Sequence, residues 1–465
     1  MTSFILNGQV RIITAEPGRT VLDHLRLAER LTGTKEGCAE GDCGACTVAI
    51  GRPDGDGLKF TAVNSCIMLA ADLDGCVVVT SEGLADGEDL SPAQTAMIAF
   101  HGSQCGFCTP GFVMSLFALS QNPQPENATD KAEAVLDALA GNLCRCTGYR
   151  PILAAADSLP YAPDTRMAEW RAMLDALQVE NSAPDSLAAL DAMLALAPDA
   201  KLTAGTTDIG VGIAKYGQVP ERMISLRDVA ELKTIEATTD YLLIGATATY
   251  SEILPYLEKY FTNFAALVRR IGSVQIRNLG TMGGNLWNAS PIGDSAPCLI
   301  ALGAMLQLRS AAGERELPAD EFSIGYRKTA LRPGEYLRAI KIPYLAEGQK
   351  FFAYKLAKRF DQDISTIAGA FLLDVQEGVI RQARAGFGGM AATPVRARVI
   401  ETMMIGKPCV DATFDAAAEK LPEIFTPISD FRATTSYRLQ AAAGFLQRLA
   451  AQVQNPEIPA DIWAL

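Results

Sequence analysis

Apolar and polar positions along the chain predict a succession of small elements. Near the N-terminus FILNGQVRII reads as strand, turn and strand, and TVLDHLRLA as an amphipathic helix. Four short helices are expected next, at SPAQTAMIAFHGS (91–103), PGFVMSLFALSQ (110–121), TDKAEAVLDALAG (129–141) and RPILAAADSL (150–159). Thr109 is the expected N-cap of the second, Pro110 its first helical residue, and Gly141 the end of the third. From Leu159 to about Asn181 the pattern weakens into a linker. Pro160, Pro163 and Pro184 punctuate it, around one amphipathic piece at Trp170. SLAALDAMLALAP then opens a new domain with a helix, and KLTAGTTDIGVGIAKYG (201–217) reads as strand, tight loop and helix. No internal repeat stands out. No stretch approaches the roughly 18 uncharged apolar residues of a membrane span.

At 465 residues, 49% of them hydrophobic, the chain can bury several cores and is expected to form two to four domains. Its net charge of −12 argues against broad nucleic-acid binding. Only two histidines occur, His24 and His101, each expected at the surface or already satisfied. A His-ligated catalytic metal or a Ser–His triad is thereby nearly excluded. The N-terminus carries no basic stretch followed by a long apolar core, so a cytoplasmic location is expected.

The eleven cysteines change the picture. Eight of them form two quartets. Cys38, Cys43, Cys46 and Cys66 have the spacing C-x4-C-x2-C-x19-C, which matches plant-type [2Fe–2S] ligation. Gly37, Gly41 and Gly44 lie among them, allowing tight turns that aim N–H groups at the sulfurs. A zinc ribbon would want a second C-x2-C, but position 69 is Leu69. Cys105, Cys108, Cys144 and Cys146 follow C-x2-C-x35-C-x-C at the junctions of the four helices, a less specific signal taken alone. Cys76, Cys298 and Cys409 remain and are expected to be buried small hydrophobes.

Together, CAEGDCGAC, QCGFCTPG and GNLCRCTGY resemble the iron–sulfur part of the xanthine dehydrogenase family, the molybdenum hydroxylases. The resemblance implies a multidomain α+β chain. Its parts would be a β-grasp [2Fe–2S] ferredoxin domain (1–86), a four-helix [2Fe–2S] domain (87–159), a linker (160–181), a two-lobed α/β non-Rossmann FAD domain (182–345) and a C-terminal α/β flavoprotein subdomain (346–465). It implies that Gln104 contacts the pterin of a molybdenum cofactor. It also implies a flavin site from two glycine loops. The first spans Leu202, Thr203, Ala204, Gly205, Thr206, Thr207, Asp208 and Ile209, and would cradle the pyrophosphate. The second supplies Thr281, Met282, Gly283, Gly284 and Asn285, followed by Asn288 and Asp294. Leu337 and Lys355 would line the flavin. Read alone, each loop is a common turn; GTTDIG at a helix start also offers N–H groups to an anion. Ile271 stands where some relatives place an aromatic over the adenine. In FAYKLAKRFDQDISTIAG, Lys358, Arg359, Asp361 and Asp363 would lie beside the flavin ring; otherwise they form a charged surface loop.

Gly386–Ala391 fits G-x-G-x-x-A after the expected strand VIRQARA, with Asp411 at a ribose-acid spacing. Pro394 delays the helix, so a nucleotide role here is disfavoured. The implied activity is a relay. Electrons from molybdopterin on a large partner subunit would pass through two [2Fe–2S] clusters to FAD and then NAD, during oxidation of hypoxanthine or xanthine to urate. The expected assembly is a heterotetramer of two small and two large chains, without nucleic acid or membrane. Two alternatives stay open: another molybdenum hydroxylase acting on an aldehyde or N-heterocycle, and a self-contained iron–sulfur flavoprotein reductase. A redox-sensing or scaffold protein with structural metal is a third.

Overall fold

The computed structural model describes residues 1–123, 128–177 and 183–458. The end of the expected linker (178–181) and the end of the expected C-terminal subdomain (459–465) lie outside the described residues. The chain divides into two compact units, each built from separated stretches. One comprises Met1–Pro184, Ala200–Arg227 and Gly272–Gly280; the other comprises Asp185–Asp199, Asp228–Ile271 and Thr281–Leu465.

The first unit is organised by a mixed five-stranded sheet in the order Gln9–Ile13, Thr2–Leu6, Val77–Val79, Thr47–Asp54, Gly57–Asn64. The first hairpin turns at Asn7 and Gly8, both at positive φ. Successive side chains of a strand point to opposite faces, and here both faces are covered. Phe4, Leu6, Val48, Ile50, Val63 and Val78 meet Val21 and Leu25 on one side. Ile5, Ala49, Phe60, Val77 and Val79 meet the helical region on the other. The inner strands accordingly read as apolar runs at Phe4–Leu6, Val48–Ile50 and Val77–Val79, whereas the edge strand Gln9–Ile13 is largely exposed. Thr20 caps the helix at Val21–Asp23, which continues as a π-helical turn over His24–Ala28. His24 is buried and its imidazole pKa is lowered by that burial, contrary to a surface placement; His101 is exposed.

The four expected helices form at Pro92–Ala99, Thr109–Ser120, Ala128–Ala140 and Arg150–Asp157. The first is shorter than the periodicity suggests, because His101 takes a left-handed conformation (φ 55) after Phe100. A Ser91–Gln94 capping box starts it. Thr109 is not an N-cap: Cys108 holds that position, and the Thr109 hydroxyl donates to Ser103 Oγ at 2.8 Å. Part of the expected linker is a core helix, Met167–Ala176. Its Trp170 is 2% exposed, meets Phe60 edge-on at 6.0 Å and lies under the Arg166 guanidinium at 4.7 Å.

Two larger sheets organise the second unit. One runs Gly313–Pro318, Met305–Ser310, Tyr336–Pro343, Tyr241–Gly245, Ile235–Ala237 and is antiparallel throughout. Helices Tyr250–Tyr260, Thr262–Arg269 and Ser295–Leu302 share its core. The other runs Gln349–Leu356, Ile367–Gln376, Val379–Gly388, Val395–Arg396, and the helix Thr435–Gln454 contributes to its core. Gly386 and Gly388 sit inside an antiparallel strand of that sheet, and the next helix begins only at Arg398. A side chain at Gly386 would overlap the Pro297 carbonyl, so this glycine permits a close helix–strand approach and the dinucleotide fingerprint is not formed. Cys76 and Cys298 are buried as expected, whereas Cys409 is only partly so, near the edge of its core. Among the described residues no helix is long and apolar enough to cross a membrane.

Trp170→Ala removes an aromatic packed between its own helix and the strand Gly57–Asn64. It should cost about 3–5 kcal/mol of unfolding free energy in denaturant titration. A loss below about 1 kcal/mol would mean that the helix Met167–Ala176 is a mere connector.

Candidate cofactor sites

Turn geometry carries the first quartet. Ala39, Gly41 and Gly44 are all at positive φ, so the chain curls between Cys38 and Cys46. Backbone N–H groups then face the sulfurs, as the interleaved glycines suggest. Asp42 N donates to Cys38 Sγ at 3.4 Å, and Asn64 Nδ2 approaches Cys46 Sγ at 3.8 Å. The four thiols converge. Cys43 and Cys66 both donate to Cys38, whose pKa falls far below the thiol range; Cys66 also donates to Cys46 and lowers it. Cys43 is raised by its bond to Cys38 and then by burial. Cys46 and Cys66 sit in an apolar pocket with Leu22, Ile67, Val211 and Ile276.

The second quartet also converges, but at the surface. Cys146 Sγ lies 3.7 Å from Cys105 Sγ and 3.8 Å from Cys144 Sγ, and Cys108 bonds Cys144. Spacings of this size are the edge of a tetrahedron with metal–sulfur bonds of about 2.3 Å. Burial raises Cys144, but the Thr147 hydroxyl (3.0 Å) and N–H (3.4 Å) outweigh it and bring the thiol to about 7. Cys108 is pushed up to about 12, first by burial and then by its bond to Cys144. Cys105 and Cys146 are exposed, as are Gln104 and Phe107. Each quartet gathers four sulfur donors, the ligand number of a [2Fe–2S] cluster. The donor set, all sulfur and met by N–H groups, fits that group.

The first glycine loop lies in the first unit, between the strand Lys201–Thr203 and the helix Ile209–Tyr216. Thr203 and Thr206 are buried; Leu202, Ala204, Gly205, Thr207 and Ile209 are half-buried and Asp208 is exposed. Thr206, at φ 56, donates its hydroxyl to the Ile67 carbonyl at 3.2 Å. The loop is thereby tied to the residue after Cys66. A Cβ at Gly205 would overlap the Leu279 carbonyl, so that glycine is required by backbone packing.

The second loop lies in the other unit. Thr281 caps the helix Met282–Trp287 by accepting from Gly284 N at 3.0 Å. Met282 is fully buried, and a Cβ at Gly283 would overlap Ala246. At Gly284 it would meet only the Thr281 hydroxyl, which can rotate. Asn285 Oδ1 is buried without a hydrogen-bond partner, a cost unless a ligand supplies a donor. That orphan atom fits a bound cofactor. Asn288 caps the helix end. Asp294 and Lys355, expected to line a flavin, are paired with each other at 2.7 Å, and both are nearly buried. Lys355 also donates to the Arg270 carbonyl at 2.8 Å. Ser365, which sequence reasoning missed, donates to the second Asp294 oxygen. Leu337 is 3% exposed within the sheet core, and Ile271 is half-buried against that core. Asp363 accepts from Lys358 N (2.8 Å) and Arg359 N (3.0 Å), so it shapes its own loop.

Two stability outcomes separate structural glycines from ligand-facing ones. Gly205→Ala should cost about 3 kcal/mol, because the Leu279 backbone must move. Gly284→Ala should change unfolding free energy by less than about 1 kcal/mol. Equal effects would show that neither loop is held as described. Separately, Cys66→Ser should remove one set of iron-linked spectroscopic signals from the reduced, iron-loaded protein and leave the other; loss of both would mean that the quartets are not independent.

The comparisons with known proteins agree with this geometry. Residues 4–71 match the 2Fe-2S iron-sulfur cluster binding domain and residues 80–157 the [2Fe-2S] binding domain. Residues 177–345 match the FAD binding domain in molybdopterin dehydrogenase, and 352–453 the CO dehydrogenase flavoprotein C-terminal domain. The chain is 33% identical to a xanthine dehydrogenase of Emericella nidulans over 96% of its own length and 38% of the relative. It is 30% identical to aldehyde oxidase 2 of Cavia porcellus over 97% of its length and 39% of the relative. It thus spans under two fifths of these curated relatives. Among solved structures, a chain of Cu,Mo-CO dehydrogenase is 30% identical, with a TM-score of 0.54, covering 57% of this chain and 94% of that one. A chain of quinoline 2-oxidoreductase from Pseudomonas putida 86 is 29% identical, with a TM-score of 0.54, covering 58% of this chain and 94% of that one. With its two 2Fe-2S domains, its FAD-binding domain and its C-terminal flavoprotein domain, the chain belongs to the molybdenum hydroxylase family, as its electron-transfer part.

Proposed function

We propose that this chain is the electron relay of a xanthine dehydrogenase. Cys38, Cys43, Cys46 and Cys66 hold one [2Fe–2S] cluster, and Cys105, Cys108, Cys144 and Cys146 hold the other. The loops 202–209 and 281–285, with Asn288, hold FAD; Asp294 and Lys355 support that site through their buried ion pair. The observation that carries the reading is the convergence of two four-thiol groups in one compact unit, one exposed beside Gln104 and one sheltered beside the first glycine loop. When bound, FAD supplies the exchange between single electrons and a hydride passed to NAD.

The residues of this chain bind, shield and tune. The pocket of Leu22, Ile67, Val211 and Ile276 keeps water from Cys46 and Cys66. N–H donors to Cys38 and Cys144 favour their thiolate forms. The exposed rim of Phe107, Leu143 and Tyr149 around the second quartet suits a docked large subunit that carries molybdopterin, with Gln104 toward its pterin. In this reading the partner hydroxylates hypoxanthine and xanthine to urate, in a cytoplasmic heterotetramer of two small and two large chains. The likeness to xanthine dehydrogenases supports a purine; aldehyde oxidase 2 resembles the chain over a similar span, and substrate choice lies with the partner.

Reconstituted with iron, sulfide and FAD, the chain should pass electrons from NADH to an artificial acceptor and should not oxidise xanthine. Adding the large subunit should bring purine-dependent NAD reduction. Gln104→Ala should slow the purine route and spare the NADH–dye route; equal losses would indicate a folding defect. Gly284→Val should lower FAD content and leave iron intact. Wild-type FAD content in that variant would exclude the second loop from the flavin site.

A further inference from the structure

A buried knot of polar groups joins the two quartets. The Leu143 N–H donates to the Cys43 carbonyl at 2.9 Å. Leu143 directly precedes Cys144, so one thiolate connects to the other through the two cysteine side chains, a short run of backbone and a single hydrogen bond. Three side chains brace this contact. Asn142 Nδ2 donates to the Gly44 carbonyl at 3.1 Å and to Thr47 Oγ1 at 3.3 Å. Asn142 Oδ1 accepts from Ser115 Oγ at 2.7 Å and from Gln275 Nε2 at 3.0 Å. Gln275 Nε2 also donates to Ser115 Oγ at 3.1 Å. Ser115, Asn142 and Gln275 are 2%, 2% and 0% exposed.

The backbones meet as closely as chains can. A Cβ at Gly44 would overlap the Gly141 carbonyl, and one at Gly141 would overlap the Gln275 amide. Apolar packing could hold these segments together at lower desolvation cost. What a directional network adds is register: it fixes which donor faces which acceptor. The register it fixes here puts the residue before Cys144 against the carbonyl of Cys43.

We propose that Ser115, Asn142 and Gln275 are positioning residues for electron transfer between the two clusters, and that the Leu143–Cys43 hydrogen bond is the route. The proposal rests on the relay reading above. In the step one electron leaves the reduced second cluster, which is oxidised, and reduces the first; no covalent bond changes and no proton moves. Gln275 lies in the stretch matched by the FAD-binding domain, yet within the first unit. A residue outside both iron–sulfur domains thus governs how they communicate.

The test uses the full chain loaded with iron, sulfide and FAD, with Gln275→Met and Leu143→Pro as variants. Gln275→Met removes the donors at similar size; Leu143→Pro removes the N–H itself. The readouts are iron content, the paramagnetic signals of both reduced clusters, their mutual magnetic broadening, and the rate at which a photo-injected electron redistributes between them. Gln275→Met should keep full iron and both signals, slow redistribution about tenfold and alter the broadening. Leu143→Pro should slow it further; if that variant loses a cluster, Gln275→Met decides alone. A lowered unfolding midpoint with unchanged redistribution and broadening overturns the proposal and leaves a structural brace. Wild-type protein lacking two distinct [2Fe–2S] signals would instead overturn the relay reading.

Discussion

Eight thiols drawn from four short stretches of chain must arrive at two points, and most of the first unit follows from that demand. Thiols close enough to share metal repel one another as thiolates, and burial penalises each thiolate. N–H donors and tight backbone approaches offset this. Asp42 and Thr147 face the sulfurs, and Gly44 and Gly141 let the two ligand regions touch. The sheet, buried on both faces at its inner strands, supplies the rigidity behind the first quartet, and the four helices supply it behind the second. Because the helices take their core from one face of that sheet, the two ligand regions are built as one body.

The same demand explains why the sequence order of the flavin-related stretches is not the order of compact units. Residues 200–227 and 272–280 fall within the FAD-binding match but belong to the first unit. Thr206 holds the Ile67 carbonyl, and Val211 and Ile276 close the pocket over Cys46 and Cys66. Chain from the FAD-binding match thus keeps water from the sulfurs of Cys46 and Cys66 and places the 202–209 loop beside them. The second unit shows a different economy. Its buried Lys355–Asp294 pair, steadied by Ser365 and the Arg270 carbonyl, ties the helix start at Ser295 to a strand of the other sheet. A buried pair of this kind is weak support for stability but strict about geometry.

Local chemistry was legible in the residues alone. Cysteine spacing marked the local pieces of both quartets, C-x4-C-x2-C, C-x2-C and C-x-C; bringing Cys66 to the first and joining the two halves of the second took the fold. Periodicity announced Ala128–Ala140 and Arg150–Asp157, which are amphipathic, whereas Thr109–Ser120 is buried nearly all round and was marked by its length and its Pro110 start. The Ser91–Gln94 box and the Asn7–Gly8 turn are likewise local events. Three readings shifted on contact with the structure. Thr109 lost its cap role to Cys108, His24 proved buried, and the piece around Trp170 proved to be core. Thr109 was decided by a neighbour six residues away, Ser103, whereas distant partners decided the other two: the packed sheet for His24 and Phe60 for Trp170.

What the sequence determined by itself was the chemistry: soft sulfur ligands in two sets, flexible loops fit for close approach to a ligand, and almost no histidine for any other catalytic role. Only tertiary structure decided the connections among them. Nothing in SVQIRNLG reveals that Gln275 would bond Asn142, because the two are 133 residues apart and a buried amide is indistinguishable in sequence from an exposed one. Nor does the spacing of Cys43 and Cys144 contain the Leu143 hydrogen bond that joins their neighbourhoods. Ligand spacing is a short-range property of the chain; register between ligand sets is set by long-range packing, and that information is spread over every core residue that holds the segments in place.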